Sequence, residues 1–281
     1  MKARVLTGLG IIVFGLPLLF LSEYIVYPIA LGIFSLFSIW EILRAMGMHK
    51  NYLIAIPSYI VSICLPVFGY GHFVGPDQQI NYMLICVAVL IVLLLYYICV
   101  AVLSRGKLGY RDVSSAFTMV VYVTVSFTSM TLIRYMNNGV YFFGMVYIAS
   151  WICDVFAYFT GMLFGKHKLA PELSPKKTIE GSLGGIFFST LTFLLYGLVV
   201  ESFFPVQANY LILTLIGLTL SVVSQIGDLW ASLIKREHGI KDYSHLLPGH
   251  GGIVDRFDSV FSTCTILLLV CVLAPPFVSA V

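Results

Sequence analysis

Ser232 to Asp258 is the segment of this chain richest in residues that can do chemistry: eight charged side chains and three of the six histidines within 27 residues. Apolar runs lie on both sides of it. An ionisable cluster of this density in an apolar chain points to a functional site. Within it, Pro248-Gly-His250-Gly251-Gly252 is a glycine-rich turn whose backbone N–H groups can approach phosphate oxygens closely. Asp255 and Asp258 stand three apart at the start of the next apolar run, so both can face one site. Paired carboxylates suit Mg²⁺, which takes one or two carboxylates together with substrate phosphates and water. Lys235, Arg236, Lys241 and Arg256 can neutralise phosphate charge. A His in such a turn serves equally as a phosphate contact or a structural group.

Three further constellations precede the island. Ser150, Asp154, Tyr158 and Gly161 recur at three- or four-residue steps, which places them on one face of a helix. An Asp inside an apolar span is costly and faces a polar cavity or a partner charge. Ser174-Pro-Lys176-Lys177-Thr178-Ile-Glu180-Gly181 sets two lysines and two hydroxyls just before a new apolar helix. Free N–H groups at a helix start, with Lys beside them, suit phosphate. Gly181 and Gly185 are four apart and allow close helix approach. Ser221, Gln225, Asp228, Ser232 and Lys235 form a polar stripe on an otherwise apolar helix, so Asp228 reads as a cavity-lining carboxylate.

These groups must be positioned by membrane helices. The chain is 59% hydrophobic, 15% aromatic and only 10% charged, too little charge to cover a soluble surface. At roughly 20 residues per span, about nine apolar stretches are long enough, near 5–21, 23–43, 52–71, 80–103, 112–133, 139–165, 181–201, 207–231 and 257–277. The first is read as a retained helix, because no small-residue cleavage site follows it. Threading nine spans from a cytoplasmic N-terminus puts 15 of the 16 basic residues on the cytoplasmic side, with Arg134 alone outside. The expected architecture is therefore an all-α integral membrane protein with a cytoplasm-facing polar cavity. Residues 1–140 read as scaffold, dimer contact or lipid access, and residues 141–281 as the catalytic region, with polar connections at 166–180 and 232–256. The six cysteines all sit in apolar runs without metal-ligand spacing and read as small hydrophobes.

The island closely resembles the signature of the phosphatidate cytidylyltransferases. The residues that carry the likeness are Ser232-x-x-Lys235-Arg236, Lys241-Asp242, Pro248-Gly-His250-Gly-Gly and Asp255-Arg256-x-Asp258. Ser174-Pro-Lys-Lys-Thr-x-Glu-Gly and Gln225-x-Gly-Asp228 extend it over most of residues 150–260. The resemblance implies transfer of CMP from CTP to phosphatidic acid, giving CDP-diacylglycerol and pyrophosphate with Mg²⁺, and a bacterial cell-membrane location. It also implies a K⁺ ion beside the Mg²⁺ and a homodimer; no nucleic-acid partner is expected. By the same resemblance, Asp228 and Asp255 hold the metal, with Asp258 and Asp154 as near neighbours. Lys176, Lys177, Lys235, Arg236 and Arg256 bind phosphates, His250, Gly251 and Gly252 line the phosphate turn, and Ser232 is a polar support.

Two other readings remain. A CTP-dependent prenol or lipid kinase would share the inventory but release CDP. A cation-coupled transporter would use Asp154 and Asp228 as a relay, but needs polar residues continuing across the membrane, and the outer halves of these helices carry few.

Overall fold

The computed structural model describes residues 17–18, 20–71 and 79–279. Eight helical segments among them are long and apolar enough to cross a bilayer. The molecule is an all-α, multi-span membrane protein with small β elements at two of its connections. The span expected at 5–21 lies mostly outside the described residues.

The chain forms two compact units. The first contains α1 (Val26–Ala45), α2 (Tyr52–Gly71), α3 (Gln79–Leu103) and α4 (Tyr110–Tyr135), together with the segment 240–256. Its core is built from Tyr27, Leu31, Ile39 and Leu43 of α1, Ile54 of α2, Tyr97 of α3 and Phe127 of α4. One group of buried polar atoms inside it is satisfied locally. The Tyr97 hydroxyl lies 2.5 Å from Ser58 Oγ and donates to the Ile54 carbonyl at 3.2 Å. Most large apolar side chains of α3 point outward, including Leu84, Ile85, Ile91, Val92 and Leu95. A helix that turns apolar residues outward suits hydrocarbon, where its backbone is satisfied internally.

The second unit holds α5 (Gly139–Tyr147), α6 (Cys153–Phe164), α7 (Ile179–Phe203), α8 (Tyr210–Glu237) and most of α9 (Val254–Leu273). A single π turn, Ile148–Ile152, joins α5 to α6 within one 26-residue span. Between α6 and α7 the chain makes an antiparallel hairpin of β1 (Lys168–Ala170) and β2 (Ser174–Thr178). A second antiparallel pair, β3 (Val206–Ala208) with β4 (Phe277–Ser279), ties the α7–α8 connection to the C-terminal segment. Phe193, Leu213, Leu220, Phe261, Leu267 and Phe277 fill the core.

The connection expected as polar loop over 166–180 is thus ordered by strand pairing. The one expected over 232–256 begins only after Glu237, because α8 continues its apolar periodicity for 28 residues. At 1.5 Å per residue that helix is about 42 Å long, more than a hydrocarbon core requires. Lys235 and Arg236 therefore sit on a rigid helical turn, where cations also favour the C-terminal dipole.

Candidate active site

In the second unit, three carboxylates and two lysines from four elements come within electrostatic reach of one another. Asp154 lies in the first turn of α6, immediately after the π turn. Such irregular turns recur at functional sites and shift the register of the residues that follow. Here Ser150 is buried beside Thr263, at 3.2 Å between the hydroxyls, while Tyr158 is exposed. Of the polar face expected over Ser150, Asp154, Tyr158 and Gly161, Ser150 and Asp154 both meet α9, Gly161 meets Thr178, and Tyr158 is exposed.

Asp154 is half-buried, accepts a hydrogen bond from the Ser259 hydroxyl of α9, and has Asp228 and Lys177 as its charged neighbours. Asp228 comes from the polar stripe of α8 and forms an ion pair with Lys177, Oδ2 to Nζ 2.5 Å. Asp258, on α9, has Asp228, Lys235 and Asp154 as charged neighbours, and its Oδ1 accepts the Ser259 N–H at 2.8 Å. Ser232, one turn beyond Asp228, is buried on the same helix. Lys176 and Arg236 are exposed beside Lys177 and Lys235.

Close helix contacts set these positions. A Cβ on Gly181 would lie 2.6 Å from the Ala157 carbonyl and 3.0 Å from Gly161 Cα. The glycine face foreseen at Gly181 and Gly185 is thus the crossing of α7 on α6. Gly227, next to Asp228, touches α9: a Cβ there would run into Ser262 Oγ and sit 2.8 Å from the Asp258 carbonyl. Gln225 ties the same region together, its Nε2 donating to the Ser182 carbonyl at 3.3 Å. Lys177 is placed by β2, and Thr178 ends that strand by capping α7, its Oγ1 accepting the Gly181 N–H at 3.1 Å. Glu180 folds back to accept the Lys166 and His167 N–H groups at 3.0 and 3.2 Å, closing the hairpin.

The first unit carries the remaining candidates. The turn at 247–251 is closed by Leu247 N–H to the Gly251 carbonyl, 3.0 Å, and by His250 N–H to the Leu247 carbonyl, 2.8 Å. Gly249 and Gly251 both have positive φ, 78° and 81°, which L side chains rarely adopt. His250 Nδ1 is buried and has no hydrogen-bond partner among the described residues. Asp255 Oδ2 accepts two backbone N–H groups, from Tyr243 and Gly252, each at 2.9 Å. Arg256 follows it, exposed. One residue here escaped the sequence reading. Glu41 of α1 is fully buried and accepts from the Ser244 hydroxyl at 2.5 Å, Ile253 N–H at 3.0 Å and Val254 N–H at 2.9 Å. Its signal was available: an acid within an apolar span is expensive and rarely idle.

Among the described residues, no three His, Cys, Asp or Glu side chains converge tightly enough to enclose a metal ion alone. The donor set nonetheless fits Mg²⁺. Asp154, Asp228 and Asp258 offer hard oxygens, and Mg²⁺ draws its remaining ligands from substrate phosphates and water.

Comparison with known sequences gives the same direction. The model of the Cytidylyltransferase family matches residues 2–274. The phosphatidate cytidylyltransferase of Staphylococcus aureus (strain COL) is 35% identical over 259 residues, covering 92% of this chain and 94% of that protein. Proteins of the same name from Staphylococcus epidermidis (strain ATCC 12228 / FDA PCI 1200) and Staphylococcus haemolyticus (strain JCSC1435) are each 34% identical over the same share of both chains. With a family match spanning nearly its whole length and relatives aligned from end to end, the chain belongs to the cytidylyltransferase family.

Proposed function

We propose that this protein is a phosphatidate cytidylyltransferase, transferring CMP from CTP to phosphatidic acid to give CDP-diacylglycerol and pyrophosphate. The observation that carries this reading is the end-to-end similarity to proteins of that name, 35% over 92% of the chain. The acid and lysine cluster on membrane helices supports it, since one substrate is a lipid and the other a water-soluble polyanion.

In the reaction, a phosphate oxygen of the lipid attacks the α-phosphorus of CTP. The bond from that phosphorus to the bridging oxygen of the β-phosphate breaks, and pyrophosphate leaves with the electron pair. No covalent enzyme intermediate is needed, so catalysis is positioning and charge neutralisation. By the family resemblance Asp228 and Asp255 would supply carboxylates to Mg²⁺, and Asp154 and Asp258 are the acidic neighbours of Asp228. A bound Mg²⁺ would offset the charge developing on the transferred and departing phosphates. Lys176, Lys177, Lys235, Arg236 and Arg256 hold phosphate oxygens, and the 248–252 turn offers backbone N–H groups to them. Lys177 pairs with Asp228 in this structure, so anionic substrate would exchange one negative partner of that ammonium for another. A K⁺ ion and a homodimer, both implied by the family resemblance, complete the proposal. The reaction is placed at the cytoplasmic face of the cell membrane, where CTP is.

The test is direct. The purified chain in detergent, given phosphatidic acid, α-labelled CTP and Mg²⁺, is expected to move label into the lipid fraction and release pyrophosphate, both abolished by chelator. Transfer of the γ-phosphate of CTP to a prenol, with no label from the α position in lipid, would overturn this reading in favour of a lipid kinase.

A further inference from the structure

Glu41 stands outside every motif that resembles the family signature, yet its carboxylate accepts three hydrogen bonds from the signature segment. Its three donors are the Ser244 hydroxyl and the N–H groups of Ile253 and Val254. Val254 opens α9, and the first N–H groups of a helix have no partner inside the helix. Capping normally comes from a side chain a residue or two away; here it comes from α1, more than two hundred positions earlier in the chain. A buried carboxylate facing a helix start also meets the positive end of the dipole. Two carboxylates thereby pin the segment Tyr243 to Asp255. Glu41 holds Ser244, Ile253 and Val254 from outside, while Asp255 holds Tyr243 and Gly252 from within. Gly252 is part of the fit, since a Cβ there would lie 2.5 Å from both Glu41 oxygens.

We infer that Glu41 is a positioning residue for the reaction: its carboxylate fixes the first turn of α9 and so the presentation of Asp255 and Arg256. This rests on the cytidylyltransferase reading for the roles of those two residues. The chemistry demands a carboxylate. Donors approach both oxygens, two at Oε1 and one at Oε2. The Gln amide would turn its own donor on one side toward an N–H. Asp, one methylene shorter, cannot keep both sides.

Wild type, Glu41→Gln, Ser244→Ala and Leu43→Ala are compared in detergent micelles. Leu43 is fully buried on the same helix and serves as the control for general loss of stability. Backbone hydrogen exchange over peptides covering 244–256 is read beside kcat for label transfer from CTP to phosphatidic acid. In Glu41→Gln, exchange in that segment is expected to quicken at least tenfold and kcat to fall at least tenfold. Ser244→Ala, which removes one donor and keeps the carboxylate, is expected to move both in the same direction, by about threefold. Leu43→Ala is expected to lower the melting temperature while leaving local exchange and kcat within about twofold of wild type. Exchange over 244–256 that stays at the wild-type rate in Glu41→Gln and Ser244→Ala would overturn the proposal, as would loosened exchange with kcat preserved. A wild-type chain that transfers no CMP, alongside quickened exchange in Glu41→Gln, would overturn the assigned reaction and uphold the anchoring.

Discussion

Asp228 and Lys177 show what a residue-level reading of the sequence reaches and where it stops. Each was legible alone, the acid as a polar interruption of an apolar helix and the lysine as a cation at a helix start. Their pairing at 2.5 Å was not, because it depends on how the β1–β2 hairpin lays Lys177 against α8. Glu41 was missed for the opposite reason: it stands by itself in α1, and its partners are two backbone N–H groups and one hydroxyl. Motif spacing cannot reveal a bond to backbone. The ion pair yields a prediction. Both side chains keep about a quarter of their surface exposed, 24% for Lys177 and 26% for Asp228, so the pair contributes less to stability than a fully buried one. Its larger effect is expected on the reaction. Asp228→Asn and Lys177→Met should each lower turnover about a hundredfold or more, on the order of 3 kcal/mol. The double variant should be no worse than the poorer single, because both act on one charge arrangement. Steady-state rates with CTP and phosphatidic acid check this. Single variants near wild-type turnover would remove Asp228 from the reacting set.

At the scale of elements, helix positions were readable and their irregularities were not. The apolar runs expected over 139–165, 181–201 and 207–231 are found as Gly139–Phe164, Ile179–Phe203 and Tyr210–Glu237. The π turn at Ile148–Ile152 left no mark in the pattern, since it adds one residue to a turn without changing hydrophobicity. The β1–β2 hairpin was likewise hidden, because its strands are three and five residues long and largely polar. The glycines were more informative. Gly227 lets α8 approach α9 directly beside Asp228 and Asp258, so a methyl group there must push the helices apart. Overpacking of this kind costs about 1–3 kcal/mol. Gly227→Ala should therefore lower the melting temperature and cut turnover about tenfold. Ile226→Ala, one residue earlier on an exposed apolar face, should leave turnover within about twofold. Paired melting curves and rates separate the cases. Equal turnover in the two variants would show that the α8–α9 approach does not set the carboxylates.

For the whole molecule, charge placement is the strongest statement the chain makes about how it sits in a membrane. Of 16 basic residues, nine-span threading puts only Arg134 outside. The structure gives that exception a physical account. Arg134 is 9% exposed, its Nε donates to Ser22 Oγ at 2.8 Å, and its guanidinium pairs with Glu23 at 3.4 Å. An arginine neutralised inside its own unit is held by its partners, so it weighs little against the bias of the other fifteen. Orientation can be measured without reference to activity. Asn137, exposed between α4 and α5, and Lys241, exposed after α8, are expected on opposite faces. Each position is changed to cysteine, and labelling by a membrane-impermeant maleimide is compared with the parent chain. The parent corrects for the native thiols, whose residues all lie within apolar helices. Asn137→Cys should label in intact right-side-out cells or vesicles, and Lys241→Cys only in inverted vesicles. The reverse pattern would put the signature segment on the outer face, away from cytosolic CTP, and would rule out the reaction proposed for it. Labelling of both from one side would instead demand an even number of crossings between them, against the three that α5–α6, α7 and α8 provide.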